Sequence, residues 1–165
     1  MARHVFFSFH YDRDSVRVAQ VRNSNVVAGY DKNPFYDKAG WESIKRQGDQ
    51  AVKNWIDNQI QGTSVTVVLI GAETASRKWV QYEIIKTCER KNGLIGIYID
   101  GLKNFAGQTD YRGRNPFDSL GFDNYQGSGR RVNLSAIYST YDYVADDGYN
   151  NMGKWIEAAA SQVGK

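Results

Sequence analysis

The run Val65-Thr66-Val67-Val68-Leu69-Ile70 constrains the fold more than any other stretch. Its β-branched, almost unbroken apolar character is how a strand buried on both faces reads, and such a strand belongs inside a parallel sheet covered by helices. Gly71 ends the run. Thr74 and Ser76 then stand as candidate N-caps, and Val80, Ile84 and Cys88 recur at i, i+4 and i+8, the stripe of a helix that packs back on the sheet. Trp79 and Glu83, also four apart, fall side by side on a flank of that stripe, just past the end of the central strand. Open α/β folds bind ligands at that edge.

The rest of the chain alternates in the same way. His4 to Phe9 reads as a short apolar strand, followed by the polar turn His10 to Asp14. Val16, Val18, Ala19 and Val21 mark a first helix with Asp12 or Asp14 as its cap, and Val26 to Gly29 a brief second strand. Tyr30 to Gly48 carries four aromatics and no clear period, so a long loop is expected, with one helical turn near Trp41 to Lys45. Asp49 to Ile60 is a helix with Ala51, Val52, Trp55, Ile56 and Ile60 on one side. Asn92-Gly93 ends the helix that carries Glu83 by C-cap chemistry, and Leu94 to Ile99 is another buried strand. Residues 102–132, rich in Gly, Asn, Asp, Arg and Gln, read as a surface insertion. Leu134, Ile137, Tyr141, Tyr143 and Val144 supply a weaker last strand, and Tyr149 to Val163 a closing helix capped by Asp146 and Asp147, with Met152, Trp155, Ile156 and Ala159 inward. Five alternations predict a flavodoxin-like α/β fold, an open parallel sheet of about five strands with helices on both faces, and residues 1–165 are long enough for one domain.

Composition narrows the chemistry. A formal charge of +3 with no run of basic residues gives a nucleic-acid role little support. Cys88 is the only cysteine, which excludes an intramolecular disulfide and the paired-cysteine metal and redox motifs, and no metal site is expected. With no apolar segment long enough for a membrane span, a cytoplasmic protein is expected. The chain holds no G-x-G-x-x-G, no Walker lysine motif and no G-x-S-x-G elbow. A phosphotransfer receiver would need acidic residues where the first and third strands end in Phe9-His10 and Ile70-Gly71.

What remains is Glu83 in aromatic company. The ordinary reading of a helical glutamate is a solvated residue pairing with Lys86 or Thr87. Position argues against it here, because Ser8, Phe9 and His10 leave the first strand at the same sheet edge and the aromatic loop reaching Trp41 follows the neighbouring strand. Phe9, His10 and Trp41 are therefore candidates for lining a pocket. Trp55 and Trp155 fall on apolar stripes and serve packing, and Cys88 is read as a buried small hydrophobe.

Val5-Phe6-Phe7-Ser8-Phe9 resembles the opening strand of TIR domains, and Ser64 to Ile70 followed by Ser76-Arg77-Lys78-Trp79-Val80-Gln81-Tyr82-Glu83 resembles their strand, Ser-x-x-Trp segment and Glu-bearing helix. Over His4 to Tyr11, Thr63 to Ile84 and Tyr141 to Asn150 the chain is similar to the TIR-like proteins of the bacterial Thoeris anti-phage system. The resemblance implies Glu83 as the catalytic residue of NAD cleavage, Trp79 as its aromatic companion, and Ser8 and Phe9 as nucleotide contacts. It implies NAD as substrate with no separate cofactor, and a cyclic ADP-ribose-type signal that acts on a separate effector protein. A phage-derived trigger and a homo-oligomer through TIR–TIR contacts are further expectations. Nicotinamide is already cationic in NAD and leaves without a general acid, so one carboxylate beside an oxocarbenium-like ribosyl centre is sufficient. The rival readings are a non-catalytic TIR scaffold and a nucleoside deoxyribosyltransferase-like enzyme.

Overall fold

The computed structural model describes residues 3–23 and 38–165. Val65–Ile70 forms strand β2, buried along its whole length. It lies between β1 (Val5–Ser8) and β3 (Gly93–Tyr98), and β6 (Thr140–Asp142) completes a four-stranded parallel sheet in the order β1-β2-β3-β6. The expected strand at Val26 to Gly29 lies outside the described residues.

Register divides the side chains between two faces. Phe6 pairs with Thr66 and Ser8 with Val68, so Phe6, Ser8, Thr66, Val68 and Ile70 share one face. Helix α4 (Lys78–Glu89) covers it: Val80 and Ile84 join Val68, Ile70 and Leu94 in one apolar cluster, and the Thr87 hydroxyl lies 2.7 Å from that of Thr66. The opposite face carries Val5, Phe7, Val65, Val67 and Leu69. Helix α1 (Tyr11–Arg22) contributes Val18 and Val21 to its core, and α5 (Gly148–Gln162) contributes Met152, Ile156 and Ala159. At Gly93 the approach of α5 is so close that a β-carbon would stand 2.7 Å from the Ala159 carbonyl oxygen. Helices therefore cover both faces, as the alternation of elements predicts.

Several local expectations are corrected. The loop expected to hold one turn near Trp41 carries a nine-residue helix, α2 (Lys38–Arg46), followed by α3 (Asp49–Ile60) with the bounds read from its periodicity. Asp12 and Asp14 do not cap α1, which starts at Tyr11 with His10 in the cap position; Asp14 turns inward and is buried. Neither Thr74 nor Ser76 caps α4, since both sit in a short 3₁₀ turn, where the Thr74 hydroxyl accepts the Gly71 N–H at 2.8 Å. Lys91, not Gly93, takes the left-handed conformation after α4 (φ 56°), and Gly93 opens β3. Asp147 occupies the cap position of α5 without capping it through its side chain, while Asp146 accepts the Asp142 N–H. Leu134 lies in a 3₁₀ turn ahead of the last strand.

The 102–132 stretch is more than a surface excursion. It contains a two-stranded antiparallel pair, β4 (Gly121–Phe122) with β5 (Val132–Asn133), and a 3₁₀ turn that drives Phe117 inward. The Asn115 side chain accepts the Phe117 N–H at 2.9 Å and fixes that turn. Fully buried, Phe117 packs with Val68, Ile70, Val80, Ile84 and Leu134, filling the α4 face over β3. A single aromatic anchor in a polar segment carries no periodicity, which hides it from a reading of pattern.

Candidate active site

The C-terminal edge of the sheet gathers β1, α1, α2 and α4 around one cleft of about 210 Å³, lined by Phe9, His10, Tyr11, Asp12, Trp41, Lys45, Arg77, Lys78, Trp79, Val80 and Glu83. One wall is aromatic. Because β1 ends at Ser8 and α1 begins three residues later, Phe9 and Tyr11 are held side by side, their ring centroids 4.1 Å apart. Tyr11 in turn stacks on Trp41 of α2 at 4.7 Å and 15°. All three rings are buried in the core cluster, so this wall is packed from behind.

The other wall is the first turn of α4. Trp79 stands edge-on to Tyr82 with ring centroids 5.9 Å apart, and the Lys78 ammonium lies 4.7 Å from the centre of the Trp79 ring. Glu83, one turn further on, is not on a solvated flank as its position in the stripe suggests: it is only 2 % exposed. Lys86 pairs with Glu89 instead, and the Thr87 hydroxyl lies 2.8 Å from the Glu83 backbone carbonyl, so neither residue engages the carboxyl. Burial holds the Glu83 pKa well above the usual carboxylate range, and the neighbouring Ser8 hydroxyl opposes the shift. Among the described residues, neither Glu83 Oε2 nor Ser8 Oγ meets hydrogen-bond geometry with any partner. The Ser8 effect is therefore one of proximity.

His10 stands at the junction of the two walls. Burial first, and then the Arg77 guanidinium, push its pKa down, so the imidazole is neutral near pH 7. Its Nδ1 is enclosed and, among the described residues, without a partner. Two other cations of the cleft are neutralised, Lys45 by Glu42 at 2.9 Å and Asp12 at 3.7 Å, and Lys78 by Asp49.

Of the residues singled out from sequence, Phe9, His10, Trp41, Trp79 and Glu83 line one cleft, whereas Ser8 lies buried behind it against Glu83. Tyr11, Asp12, Lys45, Arg77 and Lys78 were not anticipated. Lys45 follows Trp41 by four positions, which puts both on one side of the helical turn expected there. Among the described residues no group of three or more His, Cys, Asp or Glu is arranged to hold a metal ion.

A buried carboxyl whose Oε2 has no partner among the described residues, facing a stacked aromatic wall, suits a ligand with a flat ring next to a polar or cationic centre. At about 210 Å³ the cleft is smaller than the roughly 300–1,000 Å³ of ordinary ligand pockets.

An α/β sheet with an aromatic and a glutamate one turn apart on the helix after its central strand is a TIR-like arrangement, and the chain belongs to the family described as Thoeris protein ThsB, TIR-like domain, whose model matches residues 6–104. It is also 38 % identical, over an alignment of 192 residues covering 94 % of this chain and all of the relative, to the protein of Bacillus cereus (strain MSX-D12) named "Putative cyclic ADP-D-ribose synthase ThsB1". The second match extends beyond the family model into the Phe117 segment and α5.

Proposed function

We propose that the protein cleaves NAD at the nicotinamide–ribose bond and makes a cyclic ADP-ribose-type product that acts on a separate effector protein in anti-phage defence, working in the cytoplasm. The observation that carries this reading is the Glu83 carboxyl, buried and unpartnered at Oε2 in a cleft walled by Phe9, Tyr11, Trp41 and Trp79. The name of the Bacillus cereus relative supports the same product class.

In the free protein burial raises the Glu83 pKa well above the usual carboxylate range and so favours the protonated form. A cationic nicotinamide ribosyl group placed against it favours the carboxylate, so Glu83 releases its proton to solvent as the substrate binds. The C1′–N bond of the ribose then breaks, its electron pair leaving with nicotinamide. The Glu83 carboxylate faces the positive charge that develops at C1′. A nucleophilic atom of the ADP-ribose itself bonds to C1′ and loses its proton, closing the cyclic product; where water attacks instead, linear ADP-ribose results. Stacking of the nicotinamide ring on the aromatic wall orients the bond and excludes water. A phage-derived trigger and association through TIR–TIR contacts are further parts of the proposal, motivated by the small volume of the cleft.

The test is incubation with NAD and separation of nicotinamide, ADP-ribose and cyclic products by mass. Glu83→Gln keeps the shape of the side chain and is expected to lower nicotinamide release about a hundredfold or more. Equal turnover in the two proteins would refute the role given to Glu83. The scaffold reading expects Glu83 in solvent with no concavity beside Phe9 and Trp79, and neither condition holds.

A further inference from the structure

Among the described residues that line the cleft, Arg77 is the one cation whose side chain has no carboxylate partner and no hydrogen bond. It is exposed and occupies the N-cap position of α4, a helix of 12 residues with no acidic residue in its first turn and no side chain capping it. The first intrahelical bond there is made by Gln81 N–H to the Arg77 carbonyl, which leaves the N–H groups of Lys78, Trp79 and Val80 without a protein acceptor. These groups point out along the axis from the start of α4, whose first residues Lys78, Trp79 and Val80 line the cleft, and the positive end of the helix dipole lies with them. A helix start alone defines no ligand, but Glu83, 2 % exposed with Oε2 unpartnered, faces the same cleft and fixes where the reacting end of a substrate sits.

The spacing suits one molecule spanning both features. Four residues separate Trp79 from Glu83, a rise of roughly 6 Å, about the length of one ribose unit. Resting on the NAD reading above, we propose that Arg77 and the free amides of Lys78, Trp79 and Val80 form the subsite for the diphosphate of the dinucleotide, and that Arg77 selects diphosphate-bearing substrates. The paired Lys45 and Lys78 supply no free charge for that task. An arginine fork matches phosphate oxygens two at a time, which a lysine at the same place would not.

Calorimetric titration of the full chain with ADP-ribose, adenosine and inorganic pyrophosphate, in wild type, Arg77→Ala and Arg77→Lys, tests the assignment. Removing an exposed arginine leaves the core untouched, which thermal melts verify. Arg77→Ala is expected to weaken ADP-ribose about tenfold or more, and Arg77→Lys to recover part of that loss. Adenosine binding should be the same in all three proteins, and the salt dependence of ADP-ribose binding should flatten in the alanine variant. Unchanged ADP-ribose affinity in Arg77→Ala, or equal weakening of ADP-ribose and adenosine, overturns the subsite and leaves the NAD reading standing. Pyrophosphate binding at Arg77 without ADP-ribose binding overturns the assignment to a dinucleotide. Wild-type protein that binds neither ADP-ribose nor NAD sinks both proposals together.

Discussion

Two buried carboxyl groups set the chemistry at the scale of single residues, and they do different things. Glu83 opens on the cleft, whereas Asp14 is closed in on the opposite face, against Gly71 and 3.5 Å from the Thr74 hydroxyl, with Oδ1 unpartnered. Burial raises the Asp14 pKa from 3.8 to about 6, against the pull of Arg13 and Arg17. Between those two values the folded chain holds a proton that the unfolded chain has released, so stability falls as pH rises through that window, by about 3 kcal/mol for the full shift. Asp14→Asn is therefore expected to melt higher than wild type at pH 8 and to converge with it near pH 4, as thermal melts across that range would show. Glu83 was legible because its spacing from Trp79 and its distance from the end of β2 are properties of the string. Asp14 was not, because an acid in the turn after a strand reads as a helix cap, and only the packing of α1 over Gly71 turns it inward. Arg77 was hidden for a related reason: the absence of a partner is not written in a sequence.

At the scale of elements, periodicity gave β2 and α3 to the residue, since both have uninterrupted patterns. It failed for α2, where Gly40 interrupts the helical pattern and masks a helix of two and a half turns. It failed also for Phe117, whose burial depends on a sheet face that other segments build. Gly93 shows how tightly these elements fit. A methyl group there meets the Ala159 backbone rather than a side chain that could move aside. Gly93→Ala is expected to cost about 1–3 kcal/mol, visible as a lower urea midpoint with an unchanged slope, because α5 must shift off the sheet.

At the scale of the molecule, the parallel order β1-β2-β3-β6 brings the ends of β1 and β2 to one edge, and with them the elements that line the cleft. In the proposed reaction, exclusion of water would fall to this whole assembly. Tyr11 sits between Phe9 and Trp41, so its removal opens the wall while leaving the α4 side intact. Tyr11→Ala is expected to shift the product of NAD turnover from cyclic toward linear ADP-ribose, read as the ratio of the two masses, with nicotinamide release reduced less than that ratio.

Trp79 and Glu83 ride on one unbroken helix, while the stacked rings opposite belong to α1 and α2. The spacing between the acid and its indole is therefore set within one element, whereas their distance from the stacked rings is set by how three helices pack. A change in the packing of α4 against α1 and α2 would alter the width of the cleft while leaving the Trp79–Glu83 spacing as it is.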